Sequence, residues 1–438
     1  MLLDATIDSI TDQLNSQPDG TFRYAKTPVN IDPLLFVQAS QTPWSAYFGL
    51  PGGDEIGGVG VAWRSTSTYD EDRFGDLDQQ LRDLDLPSWV RVLIGFSFSP
   101  DGGHRPEWDG FTPTNGVLPT AAVIRDGENL EIVVVAGPGQ SVEAVMQFLA
   151  GMSLPQPGKG ARASDHSIQS HPAPAEYERA VAEAVEAIRG GYLEKVVLGR
   201  SVVVTSHEAP QPFELAERLR SDYPACYTFG WREGDATFVG SSPELLAATH
   251  EQSIRSHPLA GSAPRGEGED LDRAIGEALM ASSKDRSEHW LVVQDITRRL
   301  EPVTHELTVA EHPSLRKLAH VQHLSSEIVG TLSEDLSVIE VAGLIHPTPA
   351  VGGSPGPESL ALISKLEDMD RGWYAGGLGW RNGDGSGEIA VALRCALLRG
   401  PQAYVYAGSG IVADSDPYAE LEETRLKFRT IMRLLAES

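Results

Sequence analysis

Cysteine is scarce in this 438-residue chain, with Cys226 and Cys395 the only two. They provide no disulfide framework and no thiolate metal site. Positive charge is also in deficit: the formal net charge is −27 at pH 7. No Lys/Arg cluster is present, which argues against nucleic acid and anionic membrane as partners, because both reward concentrated positive charge. No apolar run approaches the ~18 residues that suggest a membrane span. The opening MLLDATIDSITDQLNSQ carries acids where a secretion signal needs a basic region, so the expected location is the cytoplasm. An anionic substrate would need a locally positive pocket or a metal ion, set against an unfavourable global field. What remains, 41% hydrophobic and 22% charged residues, is the composition of an ordinary globular protein. The length allows two or three average domains or one large two-sheet domain.

The first 165 or so residues read as an amphipathic opening helix, short strands and turn signals such as PGGDEIGG. Val90 to Pro100 and Leu130 to Gly137 look like buried strands, and His104 is a loop histidine with no catalytic pattern around it. Residues 151–173 are rich in Pro, Gly and Ser and suit a linker or a long surface loop. A helix is expected from Pro174, with Tyr177, Val181, Val185 and Ile188 on one face and a stop at Gly190-Gly191.

Chemistry-bearing residues gather in the remainder. The stretch Ala403 to Thr430 reads as a strand, a Gly-rich turn and a helix started by Asp416-Pro417. Glu420, Glu423 and Lys427 then share one face, a spacing that suits a hard cation and equally a solvated helix start. Lys195 stands in the strand-like YLEKVVLGRSVVV, either capping a strand end in solvent or desolvated among valines, where a lysine can become a base near neutral pH. Glu244, in SSPELL, is a first-turn acid or a carboxyl kept protonated by apolar neighbours. SHPLAGSAPRG suggests a glycine turn, followed by one long helix from about Asp270 to Leu300 with Glu288 at its polar–apolar boundary. VQHLSSEIVG is strand-like around His323, and HPTPAVGGSPG is an irregular loop of small residues. GWYAGGLGW and EIAVALRCA form a hairpin in pattern. Alternation there sets Arg394 beside alanines, with room to fork onto a carboxylate.

The order of EKVVLGR, FVGSSPELL, HPLAGSAPRG, SSKDRSEH, VQHLSSEI, HPTPAVGG, GWYAGGLGW, EIAVALRCA and YAGSGIVADSDPYAELEETRLK resembles the chorismate-utilising enzymes. That group includes isochorismate, salicylate, anthranilate and aminodeoxychorismate synthases. The motifs cover about residues 175 to 435. The resemblance implies a single large α+β domain of two packed, mostly antiparallel β-sheets with helices outside and the site between the sheets. Residues 1–165 would be its variable N-terminal portion and 166–438 its chorismate-binding catalytic portion.

It further implies that Glu288, Glu420 and Glu423 gather a Mg²⁺ that holds the ring carboxylate. Tyr374, Arg394 and Lys427, with backbone at Gly408 and Gly410, would take the enolpyruvyl carboxylate. Gly261, Ser262, His323 and Ala350 complete the substrate-binding set. Lys195 resembles the water-activating lysine of isochorismate and salicylate synthases, where ammonia-using relatives typically carry glutamine. Ala260 replaces the covalent lysine of aminodeoxychorismate synthase, and Ala350 the threonine usual in pyruvate-eliminating relatives. The expectation is a Mg²⁺-dependent isochorismate synthase on a path to a siderophore or menaquinone, with salicylate synthase as the alternative. Lys195 would be the base and Glu244 the acid. A monomer without a glutaminase subunit is implied.

Overall fold

The computed structural model describes residues 4–67, 69–70, 72–152 and 166–436. Its strands follow from runs of β-branched and aromatic residues that bury one or both faces. Every strand pairing among the described residues is antiparallel, and 19 strands join one hydrogen-bonded network. The α+β expectation therefore holds, and the network has two limbs that share the long strand Thr114–Asp126. One limb passes from that strand through Glu55–Arg64, Trp44–Gly49, Tyr227–Glu233, Ala236–Ser242, Cys395–Arg399 and Gln402–Ile411 to Lys195–Thr205. The other passes through Arg91–Phe96, Gly377–Asn382, Gly387–Val391 and Leu245–His250 to Ser253–His257. A separate three-stranded sheet holds Leu259–Pro264, Val321–Ser325 and Ser314–Lys317.

Strands from both sides of residue 165 pair directly, Trp44–Gly49 with Tyr227–Glu233 and Arg91–Phe96 with Gly377–Asn382. The largest apolar cluster likewise draws on both, including Phe96, Trp108, Trp231 and Trp373. Helix Pro174–Arg189 buries Tyr177, Val181, Val185 and Ile188 as its periodicity predicts. His104 lies exposed in a loop. Most of the expected 151–173 linker falls outside the described residues, but its last part is the strand Ser167–His171, which pairs with Lys195–Thr205.

Four local expectations are corrected. The glycines of AGSGIV belong to no turn: strand Gln402–Ile411 runs straight through them. The PLAGS glycine lies in a bulged strand, with Gly261 at φ +72 where the register shifts. The expected long helix is two, Glu269–Ala281 and Ser283–Leu300, because Ser282 leaves helical geometry and its side chain accepts from the Asp285 amide to cap the second. VQHLSSEIVG is two strands, Val321–Ser325 in the small sheet and Ile328–Leu332 in the large one.

Candidate active site

Strand Lys195–Thr205 is rich in valine and buried on both faces over most of its length, so the lysine that opens it is buried too. Lys195 is 1% exposed and its Nζ lies 2.9 Å from Glu288 Oε1. The solvent-capping alternative is thereby removed. Across the ladder, Gly408 faces Gly199 and Gly410 faces Val197. A side chain at Gly410 would stand 2.4 Å from Glu288 Oε1 and 3.0 Å from Lys195 Cε, so only glycine leaves room for the ion pair. Gly199 and Val197 turn their amides away, to Glu367 and to the Gly352 carbonyl. The peptide groups of Gly408 and Gly410 opposite them therefore also point out of the ladder. Gly408 O accepts from Lys427 Nζ at 2.8 Å.

Lys427 comes from helix Pro417–Ala436, started as the sequence indicates: the Ala419 amide donates to Asp416 Oδ1 at 2.9 Å. Glu420, Glu423 and Lys427 share its inner face. Glu423 Oε1 pairs with Lys427 Nζ at 2.7 Å, and Glu420 Oε1 accepts from Ser415 Oγ at 2.7 Å with Lys284 Nζ 3.6 Å away. Burial, with Glu423 and Glu288 nearby, raises the Glu420 pKa; the Lys427 ammonium, against burial, lowers that of Glu423.

Glu244 lies between strands Ala236–Ser242 and Leu245–His250 and is buried. Desolvation raises its pKa from 4.5 to about 8, over the opposing Leu259 backbone hydrogen bond and the field of Lys195. The first-turn alternative fails because a strand, not a helix, follows. Ser262 Oγ is 2.9 Å from His323 Nδ1. The other ring nitrogen, Nε2, is buried without a hydrogen-bond partner among the described residues, and desolvation holds the His323 pKa well below its usual range. A buried unpaired nitrogen beside a cavity is a natural contact for a polar ligand. Arg394 is not placed by strand alternation: the strand ends at Val391 and Arg394 adopts φ +48 in the connection to Cys395–Arg399. Its guanidinium has no protein hydrogen bond among the described residues. Tyr374 stacks on Tyr406, with ring centres 5.4 Å apart.

All fourteen candidate residues line one cavity: Lys195, Glu244, Gly261, Ser262, Glu288, His323, Ala350, Tyr374, Arg394, Gly408, Gly410, Glu420, Glu423 and Lys427. The sequence reading missed Lys284, Asp285, Leu393 and Tyr406, which line it as well. Lys284 and Glu288 are i, i+4 on one helix, a spacing visible in SSKDRSEH.

Among the described residues no three acids stand close enough to form a ready-made metal cluster. Glu288, Glu420 and Glu423 each face an ammonium instead. The donor set still fits a hard divalent cation. Its members are carboxylates lining one cavity; burial raises the pKa of Glu420, and neighbouring Glu423 and Glu288 raise it further, the crowding of like charge that a cation would relieve.

The chorismate binding enzyme family matches residues 8–436. The chain is 36% identical to the salicylate biosynthesis isochorismate synthase of Pseudomonas aeruginosa, over 80% of this chain and 75% of that protein. It is 34% identical to the isochorismate synthase MenF of Bacillus subtilis, over 78% and 74%. The solved structure of MenF, the menaquinone-specific isochorismate synthase from Escherichia coli, superposes with TM-score 0.87 at 27% identity, covering 98% of this chain and 99% of that one.

Proposed function

Because the chain belongs to the chorismate binding enzyme family, we propose that it isomerises chorismate to isochorismate, with water entering at C2 of the ring and hydroxyl leaving from C4. One observation carries the reading: a carboxyl that burial keeps protonated to about pH 8, Glu244, faces the same cavity as the buried amine Lys195. That is the acid and base the exchange requires. Lys195, in its neutral form and released from Glu288, takes a proton from the attacking water, and Glu244 gives one to the departing C4 hydroxyl as the ring double bonds shift. Each transfer is worth about 10²- to 10⁴-fold in rate.

Arg394, Tyr374 and Lys427 bind the enolpyruvyl carboxylate; Arg394 has donors to spare because no group among the described residues takes them. His323 and Ser262 orient the ring, the unpaired Nε2 of His323 supplying a hydrogen-bonding position. Glu288, Glu420 and Glu423 would hold Mg²⁺, which when bound neutralises and orients the ring carboxylate. Ala350, small where pyruvate-eliminating relatives carry threonine, supports stopping at isochorismate. Lys195, which selects water over ammonia, supports action without a glutaminase subunit.

The test is incubation of the purified chain with chorismate and Mg²⁺, following isochorismate by chromatography and salicylate by fluorescence. Isochorismate without fluorescence is expected. Salicylate with stoichiometric pyruvate would replace this reading by the salicylate synthase one. EDTA is expected to abolish turnover and excess Mg²⁺ to restore it; full turnover in EDTA would remove the metal assignment.

A further inference from the structure

Behind the cavity lies a buried ion pair that the chemistry above does not use. Glu367 follows helix Gly356–Leu366, and Arg371 lies four residues further along the chain; their side chains are 5% and 4% exposed. Arg371 Nε donates to Glu367 Oε2 at 2.8 Å, and Nη2 donates to Oε1. The same guanidinium reaches two main-chain carbonyls, Nη1 to Val351 O and Nη2 to Val197 O, both at 2.8 Å. Glu367 Oε1 also accepts from the Gly199 amide at 2.6 Å. Phe98 covers the guanidinium face, 4.1 Å from its ring centre.

Both carbonyl contacts end on the wall of the site. Val197 and Val351 line the cavity. Val197 lies two residues from Lys195 in the same strand, so both side chains point the same way. Val351 follows Ala350 in the loop of small residues, and the Arg371 carbonyl receives the Tyr374 amide at 2.8 Å. Stability alone does not call for such a pair, since apolar residues of similar volume often serve a buried position as well or better. What apolar residues cannot do is hold two carbonyls and an amide from separate segments at fixed separations. A planar guanidinium whose donors take the two carbonyls, paired with a carboxylate that accepts the Gly199 amide, can.

We infer that Arg371, seated by Glu367, is a positioning residue that locks the Lys195 strand, the Ala350–Val351 loop and the Tyr374 turn into one rigid wall, setting where the base stands relative to the ring. The inference rests on the cavity being the chorismate-isomerising site. Displacing a reacting group by about 1 Å can cost about 10²-fold in rate. An ammonium at position 371 can satisfy one carbonyl but not the fork.

The experiment uses full-length Arg371→Lys and Glu367→Gln beside the parent, with kcat, KM and amide hydrogen exchange measured for each. Both variants are expected to keep the parent circular dichroism, to lose about 10- to 100-fold in kcat with KM within about threefold, and to exchange faster at residues 196–199 and 350–353 together. The strand Arg91–Phe96 should exchange as in the parent. Parent-like kcat per folded molecule would overturn the inference, as would exchange raised only around residue 371. If Arg371→Lys does not fold, Glu367→Gln decides by the same criteria. A parent that makes no isochorismate would instead count against the activity, while exchange would still report on the lock.

Discussion

Two residues in this chain have environments opposite to those their chemistry prefers in water. Lys195 is 1% exposed and Glu244 is 3% exposed, so each would be costly to keep unless used. Replacing Lys195 by Ala or Glu244 by Gln should leave the fold intact and lower kcat at least ~100-fold, as loss of a positioned acid or base does. Steady-state assay of variants with parent-like circular dichroism checks this, and near-full turnover in either would undo the assignment. Glu244 also fixes a pH dependence. Its carboxyl must be protonated to donate, so kcat/KM should fall as pH rises through about 8, and that limb should disappear from the residual activity of Glu244→Gln. The linked effect on stability has the same sign: with the folded pKa raised from 4.5 to about 8, the group's contribution is present below 4.5 and lost as pH rises through 8. A kcat/KM profile flat to pH 9.5 would contradict the raised pKa.

At the scale of elements, the strand Gln402–Ile411 and the helix that follows it organise the site, the strand for a reason a periodicity argument overlooks. Glycines in a row read as a turn, yet Gly408 and Gly410 are strand residues chosen for what their missing side chains admit. Gly410→Ala should therefore fold, since its strand remains paired, but push apart Lys195 and Glu288 and cost about 100-fold or more in kcat. A variant with parent kcat would show that this close approach is dispensable. The helix itself was legible: Asp416-Pro417 marks its start and the i, i+3, i+7 spacing places Glu420, Glu423 and Lys427 on one face. Local signals of this kind, caps and periods, carry most elements, whereas the fourteen candidate residues come together as a set only through the resemblance that the motif order carries. Non-local facts were not legible. The break at Ser282 is local, yet no Gly or Pro marks it, and it reads as helix until the serine takes the Asp285 amide. Arg394 reaches the cavity through its positive φ beyond the end of the strand rather than through the alternation its sequence suggests. The Glu367–Arg371 lock joins segments about 170 residues apart and leaves no local pattern.

For the molecule as a whole, the puzzle is an acidic protein reading an acidic substrate. The net charge of −27 sets a field that repels a dianion everywhere outside the site. Inside, Lys195, Lys284, Arg394 and Lys427 line the cavity, and three of them are already bound to Glu288, Glu420 and Glu423. The cationic pocket is thus largely self-neutralised and projects little attraction outward, which leaves the global repulsion to govern approach. Raising ionic strength from about 10 mM to about 150 mM shortens the screening length from about 30 Å to about 8 Å. That removes the long-range repulsion while contacts within the buried cavity, shielded from salt, persist. With Mg²⁺ held saturating, kcat/KM for chorismate should accordingly rise by roughly two- to fivefold over that range, with kcat nearly constant. Most anion-binding sites behave oppositely, because their own positive field does the steering. A fall in kcat/KM with added KCl would mean that the cavity's cations reach past the acidic surface after all, and that the ion pairs seen across the cavity wall are open when substrate arrives.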